Sequence, residues 1–158
     1  MRLLALDLGT RRIGVALSDP TGVIASALEV IPADSRARVI ARLSMLVRTH
    51  DVTRVIVGLP VRLDGTEAAE ARRARQFAAA LLQEIGVPVE LLDERLTTAE
   101  AERAMLEADA SRSRRRERRD AVAAALLLQR YLDMQRREQG TGNREQEAGR
   151  SDGGRVEG

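Results

Sequence analysis

The sequence predicts an α/β domain built on a mixed five-stranded sheet flanked by helices. Its N-terminal part holds three short apolar runs separated by turns, the pattern of consecutive antiparallel strands. Beyond them, segments with helical periodicity alternate with short apolar runs, and such crossovers place strands parallel to one another. The expected sheet is therefore an antiparallel meander of strands one, two and three, with strands four and five parallel to the first.

Composition limits the kinds of protein that this chain can be. It has 158 residues, 44% of them hydrophobic, which suits one domain with a packed core. Phe77 and Tyr131 are its only aromatic residues, so the core must be aliphatic, and modules that stack bases on exposed aromatic rings are disfavoured. The absence of Cys excludes disulfides and thiolate metal sites. No apolar run reaches membrane-spanning length and no signal-peptide pattern is present, so a cytoplasmic protein is expected.

The first two strands are predicted on either side of a glycine turn. Leu3 to Leu6 form a run typical of a strand buried on both faces, and Asp7 follows at once. Gly9 suits a tight turn into a second apolar run, Ile13 to Leu17. Asp7 has two interpretations at this point: it caps the turn, or it binds a metal ion at the end of a central strand.

Turn and capping residues delimit the next two elements. The third strand is predicted from Val23 to Ile31, and the helix after it is capped by Asp34 or Ser35 and ends near His50. His50 is the only His, and we interpret it as a helix-end residue rather than a ligand.

The middle of the chain predicts a strand, a helix and another strand. The fourth strand is predicted from Arg54 to the Gly/Pro break at Pro60. Thr66 is the predicted cap of the following helix, and Gly86 stops it. The apolar residues expected on the buried side of this helix are Ala71, Ala74, Ala78, Leu81 and Ile85. Val87 to Leu92 is the fifth strand.

The last third of the chain changes character twice. A helix is predicted from the capping box that begins at Thr97, and an Arg-rich segment, residues 112–119, then leads to Asp120 and a final amphipathic helix. The apolar face of this final helix is predicted to carry Ala124, Leu127, Tyr131 and Met134. Residues 139–158 have almost no apolar side chains and are predicted to be a disordered tail, which leaves 1–138 as the folded domain.

Three carboxylates could meet at one edge of this sheet. Asp7 ends the first strand, Glu94 ends the fifth, and Asp120 begins a helix whose apolar face must pack on the sheet. Each also has a plain structural interpretation, as a turn, strand-end or salt-bridge residue. Three oxygen donors suit Mg²⁺ or Mn²⁺, and two such ions can hold the attacking and leaving oxygens of a phosphodiester.

The Arg-rich segment before Asp120 is either a solvated stretch or a phosphate-binding one. Its position beside a metal trio favours nucleic acid, because guanidinium groups hold phosphates well. The candidate phosphate contacts are Arg114, Arg115 and Arg118.

Four stretches resemble, in order and spacing, the motifs of the YqgF/RuvX family. They are LALDLGTRRIGVALSD, VGLPVRLDGTE, DERLTTAEAE and RRDAVAAALLLQRYLD, and the similarity covers about residues 2–133. The family consists of small bacterial proteins of RNase H-like fold that are related to Holliday junction resolvases. In one departure, Arg119 stands where the family has an apolar residue, so Arg119 could pair with Asp120 or bind phosphate.

The resemblance implies a nuclease in which Asp7, Glu94 and Asp120 are the catalytic and metal-binding trio. It implies hydrolysis of phosphodiester bonds in 5′-end processing of pre-16S rRNA or, alternatively, resolution of Holliday junctions. Arg12 and Arg95 match motif positions and become candidate substrate contacts. The expected partner is nucleic acid, structured RNA before branched DNA, and both a monomer and a homodimer are compatible with the sequence.

Two other function classes match parts of the sequence. LDLGT also resembles the phosphate loop of sugar kinases and actin-like ATPases, but one domain without a second glycine-rich phosphate loop is too short for that fold. A non-catalytic RNA-binding factor is the other alternative. Three carboxylates that face one another without a bound metal would repel, and this repulsion makes a non-catalytic role less favourable. A divalent-metal titration separates the classes, since only the nuclease needs metal for cleavage.

Overall fold

The structure is a computed structural model that describes residues 1–96 and 121–139. Its five strands form one sheet in the order β3-β2-β1-β4-β5. The strands are β1 (Arg2–Leu8), β2 (Arg12–Ser18), β3 (Ala25–Pro32), β4 (Val52–Leu59) and β5 (Val89–Asp93). The helices are α1 (Arg36–Thr49), α2 (Ala69–Ile85) and a C-terminal helix, here called α3, described over 121–139.

Strand pairing confirms the predicted mixed sheet. β1 and β2 pair antiparallel, as do β2 and β3, whereas β4 is parallel to β1 and β5 is parallel to β4. The two crossovers, through α1 and through α2, account for the parallel pairs, because a strand that returns to the same sheet by way of a helix runs in its original direction.

Helices α1 and α2 cover one face of the sheet. Leu4 and Leu6 of β1 point to this face and pack with Leu43 of α1 and Leu81 of α2. The helical periodicity predicted this layer correctly: the residues expected on the inner face of α2 are all buried, namely Ala71, Ala74, Ala78, Leu81 and Ile85.

Helix α3 covers the opposite face. Its predicted apolar positions Ala124, Leu127 and Tyr131 are buried there, against Ile56 of β4 and Leu92 of β5 among others. The core on this side is aliphatic except for one ring, as the composition requires.

The Tyr131 ring is buried in the core between α3 and the sheet, and its hydroxyl group makes two hydrogen bonds there. The hydroxyl donates to Glu90 Oε2 at 2.9 Å and accepts from Arg54 Nη1, also at 2.9 Å. These two hydrogen bonds join α3 to both β4 and β5. Burial is the main cause that raises the pKa of Tyr131.

The predicted ends of α1 and α2 are confirmed where capping decides them. Ser35 is the N-cap of α1, and its side chain accepts from Arg38 N at 3.4 Å. His50 is the C-cap of α1, and its backbone N–H donates to Leu46 O at 3.0 Å. Gly86 ends α2 with a φ of 74°, a left-handed conformation that glycine adopts at little cost.

The start of β3 was predicted two residues too early. The Asp19 carboxylate accepts from Val23 N and Ile24 N, both at 2.8 Å, and so keeps these residues in the turn. The hydrogen bond from Ile24 is the largest cause that lowers the pKa of Asp19. β3 therefore begins at Ala25.

Three further boundaries in the middle of the chain were also wrong. β4 begins at Val52, two residues before the predicted start at Arg54. Thr66 does not cap α2, because the helix begins at Ala69 with Ala68 as its N-cap. Thr66 belongs to the preceding turn, where its backbone N–H and its hydroxyl donate to Asp64 Oδ1. The fifth strand begins at Val89 rather than Val87. Pro88, which lacks an N–H to donate, contributes only its carbonyl, which accepts from Val55 N at 2.9 Å.

Some of the predicted features fall outside the described residues. They are the helix from Thr97, the phosphate contacts Arg114, Arg115 and Arg118, the acidic residue Asp120, and the tail, which is described only at residue 139. The division into a domain at 1–138 and a disordered tail stays a prediction. Of the helices in the described part of the chain, none has the length and apolar content to cross a membrane.

Candidate functional site

Asp7 and Glu94 lie at the same edge of the sheet. Asp7 is the last residue but one of β1, and Glu94 opens a 3₁₀ turn (Glu94–Leu96) directly after β5. β4 lies between these two strands, and all three run in the same direction, so their carboxyl ends meet. Both carboxylates are partly exposed. The strand order thus agrees with the expectation that the first and fifth strands end at one edge.

The two carboxylates also share a face of the sheet. Side chains alternate along a strand, so Asp7 lies on the face of Leu3 and Ala5, which α3 covers. Glu94 lies beyond β5, and its Oε1 atom and Leu127 of α3 approach the same side of Gly58. The site therefore lies on the α3 face.

Gly58 of β4 lies between the two acidic residues. The β1–β4 pairing ends at Leu6–Val57, so Asp7 and Gly58 are the next residues on their strands. A β-carbon placed on Gly58 would be 2.5 Å from Glu94 Oε1 and 3.1 Å from Leu127 Cδ2. The Glu94 carboxylate thus lies against the bare backbone of β4, beside α3. A glycine inside a strand signals such a close approach, although the sequence-based prediction treated Gly58 only as part of a strand break.

We expect Gly58→Ala to displace the Glu94 carboxylate and to lower stability by about 1 kcal/mol, the lower end of the usual cost of overpacking, because the end of a flexible side chain gives way more easily than backbone. Urea unfolding measures the cost. In a Glu94→Ala background the same change is expected to cost less, because the Oε1 atom that it would strike is gone. An equal cost in both backgrounds would show that Glu94 does not lie against Gly58.

Arg95 holds the 3₁₀ turn in place. Asp93 Oδ1 accepts from Arg95 N at 2.9 Å, and Asp93 Oδ2 accepts from Arg95 Nη2 at 2.7 Å. The Arg95 side chain is the main cause that lowers the pKa of Asp93. Arg95 Nη1 also donates to Arg62 O at 3.4 Å, in the loop after β4. Arg95 is thus engaged within the protein, and its predicted contact with substrate stays a prediction.

Arg12 lies at the start of β2, beyond the turn that follows Asp7. Gly9 N donates to Arg12 O at 2.9 Å, and a β-carbon on Gly9 would be only 2.5 Å from that oxygen, so this tight turn requires glycine. Arg12 lines an open cavity of about 310 Å³ with Arg11, Val30 and Pro32. Within residues 1–96 and 121–139 its guanidinium has no ion pair, which leaves it available for an anion.

The described part of the site supplies two of the three predicted metal ligands. Across residues 1–96 and 121–139, no three His, Cys, Asp or Glu side chains are grouped so that they could hold a metal ion. Asp7 and Glu94 lie in these ranges, whereas Asp120 lies outside them. Two carboxylates without a soft ligand fit a hard cation such as Mg²⁺ or Mn²⁺.

Solved structures of related shape identify the fold. A RuvC structure from Thermus thermophilus superposes with a TM-score of 0.57 at 18% identity, covering 85% of this chain and 96% of that one. The Holliday junction resolvase of fowlpox virus superposes with a TM-score of 0.52 at 14% identity, covering 85% and 99%. At these identities the likeness shows the fold alone, which is RNase H-like, as the resemblance implied.

Sequence comparison identifies the family. Relatives from Pelotomaculum thermopropionicum and Myxococcus xanthus are each 48% identical, cover 90% and 86% of this chain and 96% and 90% of their own lengths, and carry the name "Putative pre-16S rRNA nuclease". The family model described as "RuvX: Holliday junction resolvase" matches residues 1–134. The chain therefore belongs to the RuvX family.

Proposed function

We propose that this protein is a divalent-metal-dependent nuclease that hydrolyses phosphodiester bonds in the 5′-end processing of pre-16S rRNA. The observation that carries the proposal is the placement of Asp7 and Glu94 on one face of one sheet edge, on either side of Gly58. The names of the relatives at 48% identity support the substrate. Such a protein would act in the cytoplasm, where bacterial ribosomal RNA is processed.

Asp120 is proposed as the third ligand. Its covalent neighbour Ala121, the first described residue of α3, is 5% exposed, so the helix is buried at this position. Further along α3, Leu127 approaches the same Gly58 against which Glu94 lies. We propose that the carboxylate of Asp120, next to Ala121 in sequence, reaches the face that Asp7 and Glu94 share.

In the proposed site, bound metal supplies part of the chemistry and residues of the chain supply the rest. Bound Mg²⁺ or Mn²⁺, two ions in our proposal, would stabilise charge on the phosphate and generate hydroxide from water. The three carboxylates would hold that cation, and without it they would repel one another. Gly58 leaves room for Glu94, and the apolar flank of α3 limits solvent on one side of the site. Arg12, which lines the open cavity beyond the β1–β2 turn, would hold a backbone phosphate.

Branched DNA is a second candidate substrate. The description of the family model supports it, and so does the likeness to the Thermus thermophilus RuvC solved with a Holliday junction, at a TM-score of 0.55. Contacts from Arg to the phosphate backbone carry no base information, so they are compatible with either nucleic acid.

The test is a cleavage assay that offers RNA spanning the 5′ end of 16S rRNA and a four-way DNA junction side by side, with and without Mn²⁺. The proposal expects metal-dependent cleavage of the RNA at the higher rate. Preferential cleavage of the junction would favour the second candidate. Binding of RNA without cleavage in Mn²⁺ would contradict the nuclease function and favour a non-catalytic RNA-binding factor.

The Arg-rich segment is proposed as a phosphate clamp. The variant replaces three residues with Ser: Arg114, Arg115 and Arg118. We expect weaker binding to all sequences alike. The slope of log affinity against log salt should shrink by about 0.7–0.9 for each phosphate that the variant no longer neutralises.

A matched control removes the same charge from exposed positions on α1 and α2, by replacing Arg38, Arg48 and Arg72 with Ser. The control should leave the slope near that of the parent protein. Equal slopes for the two triple variants would assign the Arg-rich segment to a solvated surface.

A further inference from the structure

Leu63 has the most exposed side chain among the large apolar residues described. It is 96% exposed and stands in the loop between β4 and α2. Exposed Leu residues are common on protein surfaces, and exposure alone shows nothing. The surroundings of Leu63 are what set it apart: a dense set of hydrogen bonds fixes the loop, and the loop lies at the catalytic edge.

Hydrogen bonds within the loop make it a tight turn. Gly65 N donates to Arg62 O at 2.8 Å, and Arg62 N donates to Thr66 O at 3.0 Å. Gly65 has a φ of 87°, which favours glycine. Asp64 turns its carboxylate inward, where Thr66 N and Thr66 Oγ1 donate to it, and these bonds lower its pKa.

Contacts on both sides anchor the loop to the rest of the fold. An isolated bridge pairs Val61 with Glu67, and the Glu67 carboxylate accepts from Arg75 Nε of α2 at 3.0 Å. On the other side, Arg95 donates to Arg62 O from the 3₁₀ turn that begins with Glu94. The loop that presents Leu63 is therefore linked by one hydrogen bond to the turn that carries a proposed metal ligand.

Leu63 contributes nothing to the core of this chain, since almost all of its surface remains in water. A fixed loop that presents an apolar side chain outward is suited to an external contact. The neighbouring side chain indicates what that contact is. Arg62, adjacent to Leu63 in sequence, is exposed and, within residues 1–96 and 121–139, has no ion pair or side-chain hydrogen bond, so this short loop offers both a guanidinium and an apolar side chain to a partner. A cation next to an apolar wedge matches the phosphate and base step of a nucleic acid.

We propose that Leu63 inserts between two bases at the border of a duplex in the nucleic-acid substrate, and opens that base step beside the phosphate to be cut. The inference rests on the proposed nuclease function. Arg62 holds the adjacent phosphate while Leu63 replaces part of the stacking that the bases lose. The device would let the enzyme work where structured RNA or branched DNA changes from paired to unpaired.

The experiment uses an RNA hairpin with a single-stranded 5′ extension and 2-aminopurine at the border step, without added divalent ion, so that binding is measured apart from cleavage. The parent protein is expected to raise the 2-aminopurine fluorescence. Leu63→Ala should lose most of this rise with less than about a threefold change in affinity, because phosphate contacts dominate binding. Leu63→Met should restore the rise. Leu82→Ala, an exposed leucine on α2, is the matched control and should behave as the parent.

Cleavage in Mn²⁺ gives a second measurement. Leu63→Ala is expected to lower kcat/KM on the hairpin about tenfold or more, and to leave a fully single-stranded RNA cleaved at the parent rate. An undiminished fluorescence rise in Leu63→Ala would overturn the wedge, as would an equal loss with Leu82→Ala. A parent protein that opens the base step yet cleaves nothing would overturn the nuclease function and leave the wedge standing.

Discussion

Asp7→Asn is expected to lower cleavage by roughly three orders of magnitude or more while RNA binding stays near the parent level. The change keeps the size and shape of the side chain and removes one negative charge from the pair that flanks Gly58. A hard cation needs that charge, whereas binding of the RNA backbone depends on Arg residues elsewhere. Single-turnover cleavage in Mn²⁺ and an independent binding assay separate the two effects.

Thermal stability gives this prediction a second measurement. A metal that binds only the folded protein raises the melting temperature by mass action. Asp7→Asn should lose most of the stabilisation by Mn²⁺, and its metal-free form should be no less stable than the parent, because carboxylate repulsion falls. Asn at Glu94 or Asp120 should behave similarly, and the effects should not add, since the three act as a unit.

The matched control is Asp51→Asn. Asp51 is exposed, precedes the start of β4 at the opposite edge of the sheet, and has a φ of 52°, which Asn tolerates. It should cleave RNA and bind Mn²⁺ as the parent does. Near-parent cleavage by Asp7→Asn, or metal affinity equal to that of the parent by calorimetry, would contradict the assignment.

The second large effect concerns the docking of α3. Leu128 is 0% exposed in the core between α3 and the sheet, so Leu128→Ala is expected to lower the free energy of unfolding by about 2–5 kcal/mol. Part of this cost is the apolar burial that the smaller side chain gives up, and part is the cavity left behind. Urea unfolding measures this loss of stability. The control is Leu82→Ala at a half-exposed position, which is expected to change stability by less than about 1 kcal/mol.

Helix α3 also forms one wall of the proposed site, so Leu128→Ala should lower cleavage as temperature rises before the sheet itself unfolds. If cleavage is lost only at the temperature of global unfolding, α3 does not detach from the sheet before the sheet itself unfolds. A loss of stability below about 1 kcal/mol would contradict the packing of Leu128.

Features that depend on local spacing could be predicted from the sequence. The buried positions of α3 follow the helical period, and Ser35 and Gly86 cap helices through contacts with near neighbours. The common edge of Asp7 and Glu94 follows from the crossovers, because parallel strands end together.

Features that depend on competing hydrogen bonds or on contacts between distant residues could not be predicted from the sequence. Thr66 has the right side chain for a cap, but its hydrogen bonds to Asp64 hold it in the preceding turn, two residues before the N-cap Ala68. The role of Gly58 depends on Glu94, which reaches it only after the chain has formed α2 and β5. The pairing of Arg95 with Asp93 rather than Glu94 is likewise a matter of geometry in the 3₁₀ turn.

Tyr131 is an intrinsic spectroscopic probe of the contact between α3 and the sheet. The chain has one Tyr and no Trp, so near-ultraviolet emission comes from a single ring, which lies between α3 and the sheet and bonds to Arg54 and Glu90. Because burial raises the pKa of Tyr131, the neutral ring favours the docked helix up to about pH 10, and this contribution is lost as the pH rises further. Tyrosinate absorbance in an alkaline titration should therefore record the opening of α3 without any label, while Phe77 on the other face of the sheet stays silent.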